Sequence, residues 1–374
     1  MGRIPRFHAA IAAAAAATAL LAAPEARACT TFFIPSSRLM GKSYDWPHGD
    51  GMLVVNKRNL RKEALILRGK ARPARWTSRY GSVTFNQHGR EFPLGGINEK
   101  GLAIEVMWLP ETDYGYPGER PALNELQWVQ FQLDHFATVS ELAAAVERVA
   151  VSKVYAPLHY LACDASGACA AIEFLGGRAV LRRGGELPVA ALTNSAYSDS
   201  LGFINRLAGL GGNLPIPNGP ESLPRFARAS YLLSRAPAKG HLTHAFRMLE
   251  GVRVVEPPPD GDPSQWQIVY ELGQRRISFR MAGSGRIQSL STASLDYKCS
   301  TPAKALKLDP GISGDISRRL IPYTTGLNKE IVRKGLRPFA AWLPSSTLDR
   351  VAMYPDSLAC VEDAASTGGR PSGT

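Results

Sequence analysis

The sequence predicts a layered α+β protein with its sheets inside, and three observations predict it. Short runs rich in β-branched and aromatic residues recur between Gly, Pro and polar turns. Helical periodicity is confined to separate stretches, and the order along the chain is strands, helices, strands, helices. The 374 residues are 45% hydrophobic, which fills the core of one large domain or two small ones.

Taken in order, the first element is an export signal. Arg3 and Arg6 precede an alanine-rich run from Ala9 to Ala23, and Ala26, Arg27 and Ala28 follow it. A basic start, a short apolar centre and small residues before a cut define a secretory signal peptide over residues 1–28. Cleavage after Ala28 would leave Cys29 first, with a free α-amine, in the periplasm or outside the cell. The alternative is a lipoprotein anchored through an acylated Cys29. That motif wants an aliphatic residue three before the cysteine and a small one two before, where this chain has Ala26 and Arg27.

The runs "TTFFIP", "GMLVVNKR", "EALILRG", "GSVTFN" and "GLAIEVMWL" then read as strands. "ALNELQWVQFQLDHFA", near residues 122–137, reads as a helix. So does "TVSELAAAVERVA", where Thr138 and Glu141 stand at capping-box spacing and Leu142, Val146 and Val149 share a face. Strands return from about 158 to 193, helices near 223–250, and strands again in "QWQIVYEL", "RRISFRM" and "GRIQSL". The loops "GLGGNLPIPNGPESLP" and "EPPPDGDPSQ" mark no domain boundary, so 29–360 reads as one domain, with 361–374 a disordered tail.

The net charge is +12, and the signal's three arginines and one glutamate take it to +10. The basic residues are scattered and no nucleic-acid motif is present, so a solvated surface attractive to anions is expected rather than a nucleic-acid partner. Beyond the signal, no apolar run approaches the ~20 residues that span a membrane. Five cysteines leave at least one thiol unpaired in an oxidising compartment. If that one is Cys29, then Cys163, Cys169, Cys299 and Cys360 can pair; Cys163 and Cys169 flank the turn "DASGA", where a bridge across a hairpin fits as well as two small buried residues do.

An N-terminal cysteine has a chemical use. A thiol attacks only as thiolate, with an ordinary pKa near ~8.5, and an α-amine titrates near ~7.7 to 8. When one residue carries both, the amine can take the thiol proton and later protonate the leaving group. No G-x-S-x-G elbow, H-E-x-x-H helix or P-loop is present, and the seven histidines stand singly, His135 among apolar helix neighbours.

Five blocks, in order, resemble the choloylglycine hydrolase and penicillin V acylase family of N-terminal-nucleophile hydrolases. "CTTFF" matches at the nucleophile, Cys29. "GKSYDW" is similar to G-R-N-x-D-W, with Lys42 at the arginine and Asp45 at the aspartate that hydrogen-bonds the α-amine. "GGINEKGLAIEVMWLP" resembles G-M-N-E-K-G-L, "ALTNS" the L-T-N-S stretch with Asn194 as an oxyanion-hole amide, and "LPRFARASYLL" the S-R-F-x-R stretch with Arg225 at the active-site arginine. The resemblance implies a four-layer αββα sandwich, hydrolysis of a linear amide through an acyl-enzyme, no cofactor or metal, a small acyl-amide substrate and a homotetramer. It also places the Trp108 backbone N–H in the oxyanion hole.

The residue chemistry suits these roles. Oriented amide donors stabilise the carbonyl oxygen's developing charge by roughly 3 kcal/mol each. Read by themselves, Asn194 is also a turn cap, Asp45 a strand-end residue and Arg225 a surface arginine. Lys42 keeps the charge of the family arginine without its planar fork. Trp108 stands where bile salt hydrolases have asparagine, which resembles the Gram-negative penicillin V acylase branch, some of whose members also cleave N-acyl homoserine lactones. Trp46 is expected either in the same substrate pocket or in the core. The alternatives to an exported penicillin V or acyl homoserine lactone amidase are a bile salt hydrolase, an inactive envelope binding protein on the same scaffold, and a basic binder of polyanions.

Overall fold

A computed structural model describes residues 29–237, 242–257, 261–339 and 343–361. The expected signal peptide and all of the expected tail except Val361 lie outside the described residues. Two sheets stack face to face. The first has seven strands in the order Ala191–Leu192, Thr30–Ile34, Leu39–Asp45, Ser264–Glu271, Arg276–Met281, Gln288–Ser291 and Gly314–Asp315, antiparallel up to the last pair. The second has nine antiparallel strands: Arg178–Arg183, Cys169–Leu175, Leu158–Cys163, Ala103–Trp108, Gly95–Asn98, Ser82–Asn86, Met52–Asn56, Lys304–Lys307 and Ile321–Pro322.

Helices cover the outer faces. Ser222–Ser234 and Leu242–Gly251 lie on the first sheet. Glu125–His135 packs on the second, as does Thr325–Gly335, whose Ile331 meets Met52, Val54 and Ala305. This is the αββα sandwich, and it explains why the central strands read as unbroken apolar runs. "TTFFI", "MLVVN" and "SVTFN" are buried at every residue because one face meets the other sheet and the opposite face meets helices. Helices can settle this closely only where the sheet is smooth. At Gly41 any Cβ would collide with the ring of Phe32 on the neighbouring strand.

Two expectations shift locally. The "EALILRG" run is no strand: regular pairing ends at Glu63 in Leu60–Glu63, where Ala64 N–H makes one last rung to the Ala74 carbonyl opposite it and Leu65 N–H turns aside to the Gln127 side chain. The second helix stops early. Thr138 caps Val139–Ala143 by accepting from Glu141 N–H, and Glu141 reaches back to Ala137 N–H, but a 3-10 turn at Val146–Arg148 then leads into Ala150–Val151, which pairs with Ala122–Leu123. Both cysteine pairs are bridged, Cys163 to Cys169 across the hairpin and Cys299 to Cys360, leaving Cys29 as the free thiol among the described residues. Among those residues no helix is long and apolar enough to cross a membrane.

Candidate active site

Strand pairing assembles the site around Cys29. Thr30–Ile34 lies between Leu39–Asp45 and Ala191–Leu192, and its registers, Thr30 opposite Ser43 and Thr31 opposite Leu192, put Cys29 across from Tyr44 on one side and Asn194 on the other. Asp45, ending its strand, presents its backbone carbonyl 4.0 Å from the Cys29 sulfur. Arg225 enters from the first turns of Ser222–Ser234 above the same sheet.

Arg225 is fully buried and fixes the rest. Nη1 donates to the Cys29 carbonyl at 2.6 Å and to Thr30 Oγ at 2.7 Å, Nη2 to Asn194 Oδ1 at 2.8 Å, and Nε to the Pro220 carbonyl at 2.8 Å. A guanidinium only donates, so the Asn194 atom facing it must be the oxygen. That oxygen also accepts the Cys29 N–H at 2.8 Å. The Asn194 amide nitrogen therefore points the other way, giving one hydrogen to the Trp108 carbonyl at 2.9 Å and keeping a second. Trp108 faces Leu158 in a pair that exchanges no hydrogen bonds, since Leu109 N–H goes to the Pro157 carbonyl next door. Its N–H and C=O consequently leave the strand on the same side, the side of Asn194. The Asn194 backbone is tied down by Ser222, whose hydroxyl accepts its N–H at 2.9 Å.

Asp45 departs from its expected partner. In this chain the Cys29 N–H goes to Asn194 and not to Asp45, because the Cys29 backbone nitrogen has one hydrogen and the strand register aims it at residue 194. Asp45 Oδ1 accepts from Ser43 Oγ at 3.0 Å, and Oδ2, buried, has no hydrogen bond among the described residues. Burial pushes this carboxyl up to about 6, against the pull of Arg225, the hydroxyls of Ser264 and Ser43, and Lys42. Burial also pushes the Cys29 thiol up; Lys42 is the leading influence drawing it down, Asp45 adds to the rise, and the contact with the Asp45 carbonyl and Arg225 oppose it.

The sign of the Asp45 effect gives a pH prediction. The folded-state value exceeds the ordinary 3.8, so the folded chain holds this proton more tightly and the carboxyl costs stability progressively as pH rises from about 4 to about 6. Ionised Asp45 is the form that can hold an ammonium. An ammonium beside Asp45 draws the carboxyl below that value, so activity is expected to fall on the acid side at some pH below about 6, and the residual activity of Asp45→Asn is expected to lack that limb; a limb that persists in the variant contradicts the assignment.

Next to the sulfur lies a narrow apolar cavity walled by Tyr44, Trp46, Leu94, Val106, Trp108 and Leu158. Trp46 is both wall and core: it is 5% exposed and packs against Tyr44, His88 and Phe339 at ring-centroid distances of 6.1, 5.8 and 5.9 Å. Sequence reasoning missed His88, which lines the cavity with its Nδ1 3.0 Å from the Tyr155 hydroxyl. His135 is elsewhere, its Nδ1 2.9 Å from the Phe131 carbonyl on the helix outside the second sheet. Lys42 lies between the sheets and donates to the Val106 carbonyl. Glu105, its acidic neighbour, was also missed, although a lone Glu in the apolar strand "AIEVMW" is a visible signal.

No family model matches the chain. A penicillin V acylase from Pectobacterium atrosepticum is 34% identical over 173 residues, 42% of this chain and 46% of the relative, so the chain spans about half the length of the curated relative it matches. Among solved structures, a penicillin V acylase from Agrobacterium tumefaciens superposes with a TM-score of 0.67 at 26% identity, covering 79% of this chain and 98% of that one. A conjugated bile acid hydrolase from Clostridium perfringens shares the fold at a TM-score of 0.64 and 16% identity, covering 76% of this chain and 98% of its own.

Proposed function

We propose that this chain, which belongs to the choloylglycine hydrolase and penicillin V acylase family, is an exported amidohydrolase that cleaves a linear amide through Cys29. The single observation that carries the reading is the setting of the Cys29 nitrogen. Its N–H is held by Asn194 Oδ1 while the buried Asp45 Oδ2 has no hydrogen bond among the described residues. A cut before Cys29 would turn that nitrogen into an ammonium with more hydrogens than one acceptor uses, and a buried carboxylate beside it supplies the missing partner.

In this mechanism the amine takes the thiol proton and the thiolate attacks the amide carbon. The second hydrogen of the Asn194 amide and the Trp108 N–H face the oxyanion from one side. The amine then gives its proton to the leaving nitrogen, the C–N bond breaks, and water attacking the thioester returns the free thiol and the acid. Arg225 holds the Cys29 carbonyl and the Asn194 oxygen throughout, so nucleophile and oxyanion donor keep one spacing. The aromatic and aliphatic cavity suits an apolar acyl group such as that of penicillin V or a long-chain acyl homoserine lactone.

The test is hydrolysis of penicillin V, a long-chain acyl homoserine lactone and glycocholate by protein purified after export. Turnover of either of the first two in preference to glycocholate is expected. Preference for glycocholate would move the assignment to bile salts, and no turnover of any by protein with a free N-terminal Cys29 would overturn it in favour of a binding role.

A further inference from the structure

A polar file crosses the largely apolar space between the two sheets. Lys42, on Leu39–Asp45, is 1% exposed; its Nζ donates to the Val106 carbonyl and lies 3.5 Å from Met107 Sδ and 3.8 Å from Glu105 Oε2 on the facing sheet. Glu105 is 1% exposed and its other oxygen, Oε1, accepts from the fully buried Tyr270 hydroxyl at 2.5 Å. Room for the carboxyl is made by its cross-strand neighbour Gly95, where any Cβ would collide with it. The file ends at the nucleophile strand. Lys42 is paired across the strands with Thr31, two residues from Cys29, and Thr31 Oγ donates to the same Met107 sulfur at 3.0 Å.

A buried charge is costly unless a partner is held against it. Here the Glu105 carboxylate supplies the counter-charge and the Tyr270 hydroxyl stabilises it. Among the charges near the Cys29 thiol, Lys42 is the leading one that draws it down. We infer that Glu105 is a positioning residue for the nucleophile: with Tyr270 it anchors the Lys42 side chain against the Val106 carbonyl, beside the strand that carries Cys29. Burial pushes the Glu105 carboxyl up to about 7, against the pull of Lys42 and the Tyr270 hydroxyl. The other charged or titratable groups around it are Cys29, Asp45 and Arg225 on the nucleophile side, and His159 and Glu173 farther along the inner face of the second sheet.

The inference rests on the proposed function only in taking Cys29 as the nucleophile, and its test uses no amide substrate, so the two can fail separately. The rate of Cys29 alkylation by iodoacetamide is measured against pH on folded protein, the other described cysteines being in disulfides. Glu105→Gln is expected to raise the midpoint by roughly one unit and slow alkylation at neutral pH about tenfold. Tyr270→Phe should shift it the same way by less, and carries the test if Glu105→Gln does not fold. Lys42→Met should also raise the midpoint, and adding Glu105→Gln to it should change nothing further. A midpoint unmoved or lowered by Glu105→Gln or, failing that variant, by Tyr270→Phe overturns the inference, as does a full additional shift in the Lys42→Met background.

Discussion

Cys29→Ala is expected to lower kcat/KM for the preferred amide by roughly 10⁴-fold or more while leaving the melting temperature close to that of the parent. The sulfur makes one contact that the structure records as a hydrogen bond, 4.0 Å from the Asp45 carbonyl, so its loss removes little that holds the fold together. In the proposed mechanism the lost group is the one that forms the acyl bond, and neither the Asn194 amide nor the Trp108 N–H can replace it. Oxyanion donors and binding alone sustain only a small residual rate. Activity retained within tenfold in the alanine variant would remove Cys29 from the mechanism.

Arg225→Met is expected to strike both stability and catalysis. The guanidinium is fully buried and its donors meet the Cys29 carbonyl, Thr30 Oγ, Asn194 Oδ1 and the Pro220 carbonyl. Removing it takes the guanidinium donor from the buried Cys29 carbonyl and Thr30 Oγ and from the half-buried Pro220 carbonyl, leaves Asn194 Oδ1 with the Cys29 N–H alone, and leaves Asp45 without its leading cationic support. Breaking a buried, hydrogen-bonded charge in this way costs about 3 to 5 kcal/mol, which lowers the melting temperature by roughly 5 to 10 °C in a chain of this size. Activity should fall by at least about a hundredfold in the molecules that remain folded, because Asn194 loses the contact that fixes its flip. Arg225→Lys should recover part of the stability and little of the rate, since an ammonium cannot span the Cys29 carbonyl and Asn194 together. A variant that melts like the parent and keeps its rate would mean that the arginine is incidental.

Much of this arrangement was legible because it is local or tied to the nucleophile strand. "TTFFI" announces a doubly buried strand, the "DASGA" turn places Cys163 opposite Cys169, and the block order brings Asp45, Asn194 and Arg225 toward Cys29. Tertiary contacts decided the rest. Leu65 leaves the ladder because the Gln127 side chain offers another partner, and the residues after Val149 give up helical form to pair with Ala122 and Leu123. Tyr270 and Glu105 are 165 residues apart and meet only once the sheets stack, which no local pattern encodes. The Asp45 assignment illustrates a different limit. The motif named the residue, but the strand register directs the single Cys29 N–H at Asn194, so the Asp45 contact waits on a nitrogen with more hydrogens.

The most direct test of the account is intact-mass and peptide mass spectrometry of purified protein, alone and quenched in acid during turnover of penicillin V. A chain beginning at an unmodified Cys29 is expected, with a transient mass increase equal to the phenoxyacetyl group mapping to that residue. A chain that retains residues before Cys29 while active, a diacylglyceryl-modified Cys29, or an acyl adduct on any other side chain would contradict it.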